Sequence, residues 1–189
     1  YAFRRPFTVG TFEGLKLLGI DYKIVLILSQ VAGYTLSKFI GIRFVSEVKP
    51  QYRVLCILSF IGFAEFSLLL FGLVPFPYNF GCLFLNGLPL GMIWGFIFSF
   101  LEGRSVTEVL GAGLSASFIV SSGVVKAVGK FTMDAWGISE FWMPFVTGLL
   151  FLGPLCLFVW MLSQIPPPSR DDVALRTERV PMTRSDRIA

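Results

Sequence analysis

Long apolar blocks separated by short polar breaks organise this chain, and the blocks recur at the length a bilayer demands, about 20 residues at 1.5 Å rise. Reading from one break to the next predicts whole membrane spans at 24–46, 53–75, 79–101, 109–131 and 141–163. Residues 1–15, YAFRRPFTVGTFEGL, read as the outer half of a further helix, a partial span over about 1–10 running into a polar connection that ends near Tyr22. The breaks are chemically distinct. VPFPYNF, from Val74 to Phe80, brings two prolines and an asparagine, and EGRSVTE, from Glu102 to Glu108, brings charge. Lys126, Lys130, Asp134 and Glu140 mark the next break, with Trp136 and Trp142 where interfacial aromatics sit. PPPSRDD stops the last span, and 164–189 reads as a polar, arginine-containing cytoplasmic linker.

Polar residues inside these spans carry the candidate chemistry. Gln30, Tyr34 and Lys38 recur every four residues and so share one helix face. Gly33, Ser37 and Gly41 repeat that interval beside them, a small-residue strip on which another helix can pack closely. A charge at mid-span costs about 2.5–3.5 kcal/mol on insertion scales, so Lys38 is expected to face protein or water, lining a cavity. Glu65, alone in its run, offers either a buried ion pair with that lysine or a coupling carboxylate. Gly87, Gly91 and Gly95 form a second close-packing face, with Pro89 within it. The span 109–131 is so rich in glycine and serine that it is expected to lie wedged inside a bundle. Its serines either bond back to their own helix or line an aqueous path.

Composition sharpens the class. At 189 residues, 54% hydrophobic and 15% charged, with mean hydropathy +0.74, the chain is too apolar for a soluble domain of this size. The pI near 9.1 reflects cations at segment ends, with no aromatic-interleaved basic patch, and nucleic acid is not an expected partner. Nine Lys and Arg (Arg43, Lys49, Arg53, Arg104, Arg170, Arg176, Arg179, Arg184, Arg187) stand against four (Lys16, Lys23, Lys126, Lys130) on alternate sides. That bias makes the 43–53 turn and the tail cytoplasmic. Cys56, Cys82 and Cys156 lie in apolar blocks without metal or redox spacing and read as buried small residues. With no histidine in the chain, Ser-His-Asp and Cys-His catalysis and most zinc hydrolase chemistry are excluded. A serine–lysine pairing of Ser121 or Ser122 with Lys126 is the remaining enzymatic arrangement, and it has no further support. No enzyme activity, cofactor or metal is expected.

Six helices followed by a cytoplasmic linker resemble half of a major facilitator superfamily (MFS) transporter, and specific segments carry the likeness. YAFRRPF, Tyr1 to Phe7, is similar to the first-helix pattern Y-x-x-R-x-x-F of the organophosphate:phosphate antiporters. The resemblance implies that Arg4 faces a central cavity and binds the anionic group of the substrate, with Tyr1 beside it. GYTLSKFIG, Gly33 to Gly41, resembles their second helix, which implies that Tyr34 and Lys38 lie near the same site. The segments FRRPF, LSKFIG and NGLPLGMIWG also resemble a group of uncharacterised bacterial membrane proteins of facilitator type, end to end. Two departures stand out. The loop signature G-x-x-x-D-R-x-G-R-R/K is reduced to GIRFVSEVKPQYR, and Phe118 falls where the antiporters place a histidine near their site.

The expected fold is therefore all-α: a polytopic membrane helix bundle, an MFS-type six-helix half of five complete spans plus the end of a first helix. The chain is read as the amino-terminal piece of a secondary transporter in the bacterial cytoplasmic (inner) membrane. Its expected partners are the lipid bilayer, a small anionic solute and a carboxy-terminal six-helix half. The alternative is a transport-inactive membrane sensor or scaffold with the same fold. Arg4, Tyr34, Lys38, Gln30 and Tyr1 are the candidate substrate-binding residues, with Glu65 for coupling or an ion pair.

Overall fold

A computed structural model of the chain describes residues 1–101 and 107–166. Arg104 with most of the EGRSVTE turn, and the tail from 167 onward, lie outside the described residues. The architecture is an all-α bundle of five long helices: α1 (Tyr22–Glu47), α2 (Arg53–Leu73), α3 (Phe80–Leu101), α4 (Thr107–Trp136) and α5 (Met143–Ser163). All five are long and apolar enough to cross a membrane, and the protein is a multi-pass membrane protein by that measure.

The α1–α3 crossing organises the bundle, and its glycines explain it. A Cβ added at Gly87 would meet the Gln30 carbonyl oxygen and, at 2.8 Å, the Tyr34 nitrogen; one at Gly91 would sit 2.6 Å from the Ser37 hydroxyl. Conversely, a Cβ at Gly33 would collide with the Phe84 carbonyl. The two small-residue strips thus face each other, and the backbones approach as closely as they do because no side chain intervenes. α2 packs on the other side of α3, and α5 on α2. Between these helices lies an apolar core that includes Ile57, Ile61, Ala64, Phe96 and Val159.

The opening residues depart from the expected helical remnant and plain loop. Tyr1 to Arg5 form a single turn closed by the Arg4 and Arg5 N–H groups on the Tyr1 carbonyl, both at 2.9 Å, and a 3-10 helix (Pro6–Val9) follows. Pro6 supplies no N–H and fixes its own φ, which suits the first position of that helix. A small hairpin comes next, β1 (Lys16–Leu17) paired antiparallel with β2 (Ile20–Asp21). Its turn residues Leu18 and Gly19 both have positive φ, 53° and 80°, the geometry of a two-residue type I′ connection.

These residues fold over one end of the bundle. Glu140, in the α4–α5 connection, accepts hydrogen bonds from the Thr11 N–H (2.9 Å), the Thr11 hydroxyl (2.8 Å) and the Phe12 N–H (2.6 Å). Burial alone would push its carboxyl up, but these donors together with Lys23 outweigh it and hold it below the usual carboxylate range. Phe12 packs edge-on against Tyr22, Phe71 and Phe141. The Tyr22 hydroxyl bonds to Asn79 and to the Pro77 carbonyl in the α2–α3 connection. One end of the bundle is thereby closed by an aromatic plug.

α4 differs from expectation twice. It runs through the charged break to Trp136, so Lys126, Lys130 and Asp134 are helical, and all three are exposed. At 30 residues it is roughly 45 Å long, more than the ~30 Å hydrocarbon core, and its last turns can carry charge beyond the apolar layer. Nor is it wedged. Only Val125, Gly129 and Thr132 are buried, against α5 and the 3-10 helix, while Gly113, Ser115, Ser117 and Gly123 face outward. Cys82 is buried as expected, Cys56 is half-buried, and Cys156 points outward instead.

Candidate functional site

Asn86 is the fixed point from which the site is built. Fully buried in α3, its amide donates to the carbonyls of Phe3 (3.0 Å) and Ala64 (2.9 Å) and accepts from the Gln30 amide at 2.8 Å. Gln30 in turn donates to the Arg4 carbonyl at 3.1 Å. One side chain therefore ties the opening turn, α1 and α2 together in an interior where an unpaired amide would be costly. The consequence is positional: the backbone of residues 3 and 4 is held against the middle of the bundle.

From there the Arg4 guanidinium lies flat over the Tyr34 ring, 3.9 Å from its centroid, and the Lys38 ammonium lies 4.9 Å from the same centroid. Tyr34 is twelve residues into α1, roughly 18 Å along it, near mid-depth. Each cation gains about 0.5–2 kcal/mol from the Tyr34 ring, and no carboxylate lies within ion-pair distance of either among the described residues. Arg5 adds a third positive charge, its guanidinium 5.7 Å from the Tyr1 centroid. The Nε atoms of Arg4 and Arg5 are both buried without a hydrogen-bond partner. Among the described residues no counter-ion reaches this cluster.

Arg4, Tyr34 and Tyr1 line a cavity of about 350 Å³. Its remaining wall is apolar, supplied by α3 (Trp94, Ile97), α4 (Phe118, Val125) and α5 (Phe151, Leu155). Phe118 also packs on Tyr1 with ring centroids 5.3 Å apart.

The candidate residues fall into three groups. Arg4, Tyr34 and Tyr1 meet at the cavity. Gln30 stands behind them and orients the Arg4 backbone. Lys38 is not a lining residue: it sits one turn beyond Tyr34 and is exposed, while the neighbouring strip of Gly33, Ser37 and Gly41 is the face that packs on α3. Glu65 belongs elsewhere. It is buried, 6% exposed, at the α2–α5 crossing against Gly148, and its oxygens have no hydrogen-bond or ion-pair partner among the described residues. The anticipated Glu65–Lys38 pair does not form, since the two residues lie on opposite sides of the α2–α3 layer. The α4 serines bond back to their own helix, Ser115 to Gly111 (2.9 Å), Ser117 to Leu114 (2.6 Å) and Ser121 to Phe118 (3.3 Å). No cluster of His, Cys, Asp and Glu able to hold a metal occurs among the described residues.

Sequence reasoning missed Asn86, Arg5 and Trp94 as parts of the site. Asn86 had a signal, a lone amide in an otherwise apolar span; Trp94 had none, since one more aromatic in such a span is unremarkable.

Neither the curated proteins nor the solved structures include a match to this chain. A family model described as a family of unknown function, DUF5690, matches residues 6–189. That match spans nearly the whole chain, from Pro6 through α1 to α5 and the tail, with Arg4 and Arg5 just before it, and the chain therefore belongs to the DUF5690 family.

Proposed function

We propose that this chain is the solute-binding part of an MFS-type secondary transporter that moves a small organic anion across the membrane by alternating access. One observation carries the reading: a permanently charged guanidinium lies at mid-depth in a cavity, over the Tyr34 ring, with an unpartnered Nε and no acidic residue among the described ones to neutralise it. Sites for solutes lie near the midplane in such transporters. Arg4 supplies a fork of N–H donors for an oxyanion, Tyr34 and Tyr1 border it, and Lys38 and Arg5 add positive field from outside the cavity wall. Two further features support alternating access. One end of the bundle is plugged by Phe12, Tyr22, Phe71 and Phe141, and the outward small-residue face of α4 suits a sliding contact with a second helical bundle.

The test is uptake by the full-length protein in proteoliposomes across a panel of organic anions. Saturable uptake of at least one anion is expected, abolished by Arg4→Ala and reduced by Lys38→Ala. Uptake unchanged in both variants would remove the assignment. No saturable uptake of any anion would favour the sensor or scaffold alternative.

A further inference from the structure

We infer that the solute is a hydrophobic monocarboxylate rather than an organophosphate or a sugar acid. The inference rests on the anion-binding reading of the cavity and deepens it. Among the described residues Arg4 is the one cation on the cavity lining, bordered by the Tyr34 and Tyr1 side chains, while Lys38 and Arg5 lie outside that lining. One planar guanidinium offers two parallel N–H donors, which match the two oxygens of a carboxylate. A phosphate dianion brings more oxygens and more charge than that one cation inside the wall can satisfy.

The rest of the wall decides the body of the solute. Trp94, Ile97, Phe118, Phe151 and Leu155 present aromatic and aliphatic surface. The nearest further polar group, the Ser121 hydroxyl, already donates to the Phe118 carbonyl. A hydroxylated solute would strand its hydroxyls against that surface, whereas an alkyl or aryl chain would bury there. Size follows from volume. A cavity of about 350 Å³ lies at the lower end of the range that takes small organic ligands, roughly 300–1,000 Å³. An arylalkanoate or a medium-chain fatty acid fits.

Trp94 in the wall reports on occupancy. The full-length protein in detergent micelles is titrated, following tryptophan fluorescence and thermal shift, with 4-phenylbutyrate, octanoate, the uncharged 4-phenylbutan-1-ol, glycerol 3-phosphate and gluconate. Phenylbutyrate and octanoate are expected to bind at least tenfold more tightly than the alcohol, the phosphate or gluconate, and R4Q is expected to lose that preference. Should R4Q fail to fold, the ligand series on the natural protein carries the test alone. Equal binding of phenylbutyrate and its alcohol would overturn the inference by making the cavity merely greasy. Tighter, Arg4-dependent binding of glycerol 3-phosphate or gluconate would overturn it while leaving the anion-binding reading intact. No binding of any anion would overturn both.

Discussion

Tyr34 stands between two cations, and its ring face is what allows them to share mid-membrane space. Tyr34→Phe keeps the face and should leave anion affinity within about twofold, whereas Tyr34→Leu removes it. The expected loss is about 0.5–2 kcal/mol, a dissociation constant roughly twofold to thirtyfold larger, read by ligand titration of the purified protein. Asn86 acts at the same scale through position. Asn86→Leu leaves the Gln30 amide without its acceptor and the Phe3 carbonyl without its donor, and should cost about 1–2 kcal/mol, as interhelical hydrogen bonds in membranes do. A double-mutant cycle with Gln30→Leu should be non-additive, because both residues hold the same turn. The sequence made Tyr34 and Lys38 visible through their four-residue spacing, which fixes a common face without any knowledge of the fold. Asn86 was legible only as an oddity, since its partners come from three separate segments and nothing local announces them.

Elements are held here by what glycine omits. Gly87→Val would drive a branched side chain into the Gln30 carbonyl and the Tyr34 nitrogen, and neither is a flexible side-chain end that can swing away. The variant should lose monodisperse folded protein on size-exclusion chromatography. Gly62→Ala, where nothing lies within 4 Å of the added carbon, should be neutral or gain up to about 1 kcal/mol through helix propensity. If both behave alike, the close α1–α3 crossing is not what organises the bundle. All five helices and the two packing strips were readable, since span length and small-residue spacing are local properties. The end of α4 was not. Lys126 and Lys130 look like a break, yet lysine is a good helix former and a long stem can carry its charge outward, so the helix continues. The exterior position of α4 was equally hidden, because a small-residue face shows readiness to pack and not which partner fills it.

At the scale of the whole molecule the two ends of the bundle differ. Gly10 to Asp21 and the connections at 74–79 and 137–142 gather at one end, with Glu140 clasping Thr11 and Phe12. A carboxyl whose folded pKa is depressed contributes stability above its ordinary value, about 4.3, and loses that contribution as pH falls below it through the lower folded value. Glu140→Gln should therefore be less stable than the natural protein at pH 6 and converge with it toward pH 3, as thermal unfolding across that range would record. The plug escaped sequence reading because Phe12 meets Phe71, Glu140 and Phe141 from far along the chain, and the hairpin because its two-residue strands are too short to show an alternating pattern.

The cavity lies toward the opposite end. Its α3 and α5 lining, Ile97 and Phe158 included, belongs to the halves of those helices that approach the 43–53 turn and the tail, where the excess of Lys and Arg gathers. Cations are retained on the cytoplasmic side during insertion, so under the proposed transport function the cavity end is expected to face the cytoplasm and the aromatic end the opposite side. Thiol labelling of intact cells tests both halves of that statement. In a background with Cys56, Cys82 and Cys156 replaced, Lys16→Cys should react with a membrane-impermeant maleimide added outside, and Lys49→Cys only after permeabilisation. Ser121→Cys, on the cavity wall, should follow Lys49→Cys and be shielded by a bound anion. Labelling of Lys49→Cys from outside would invert the orientation. Labelling of Ser121→Cys from the Lys16 side would place the opening beneath the plug, and the closed end described here would then be the one that gives way.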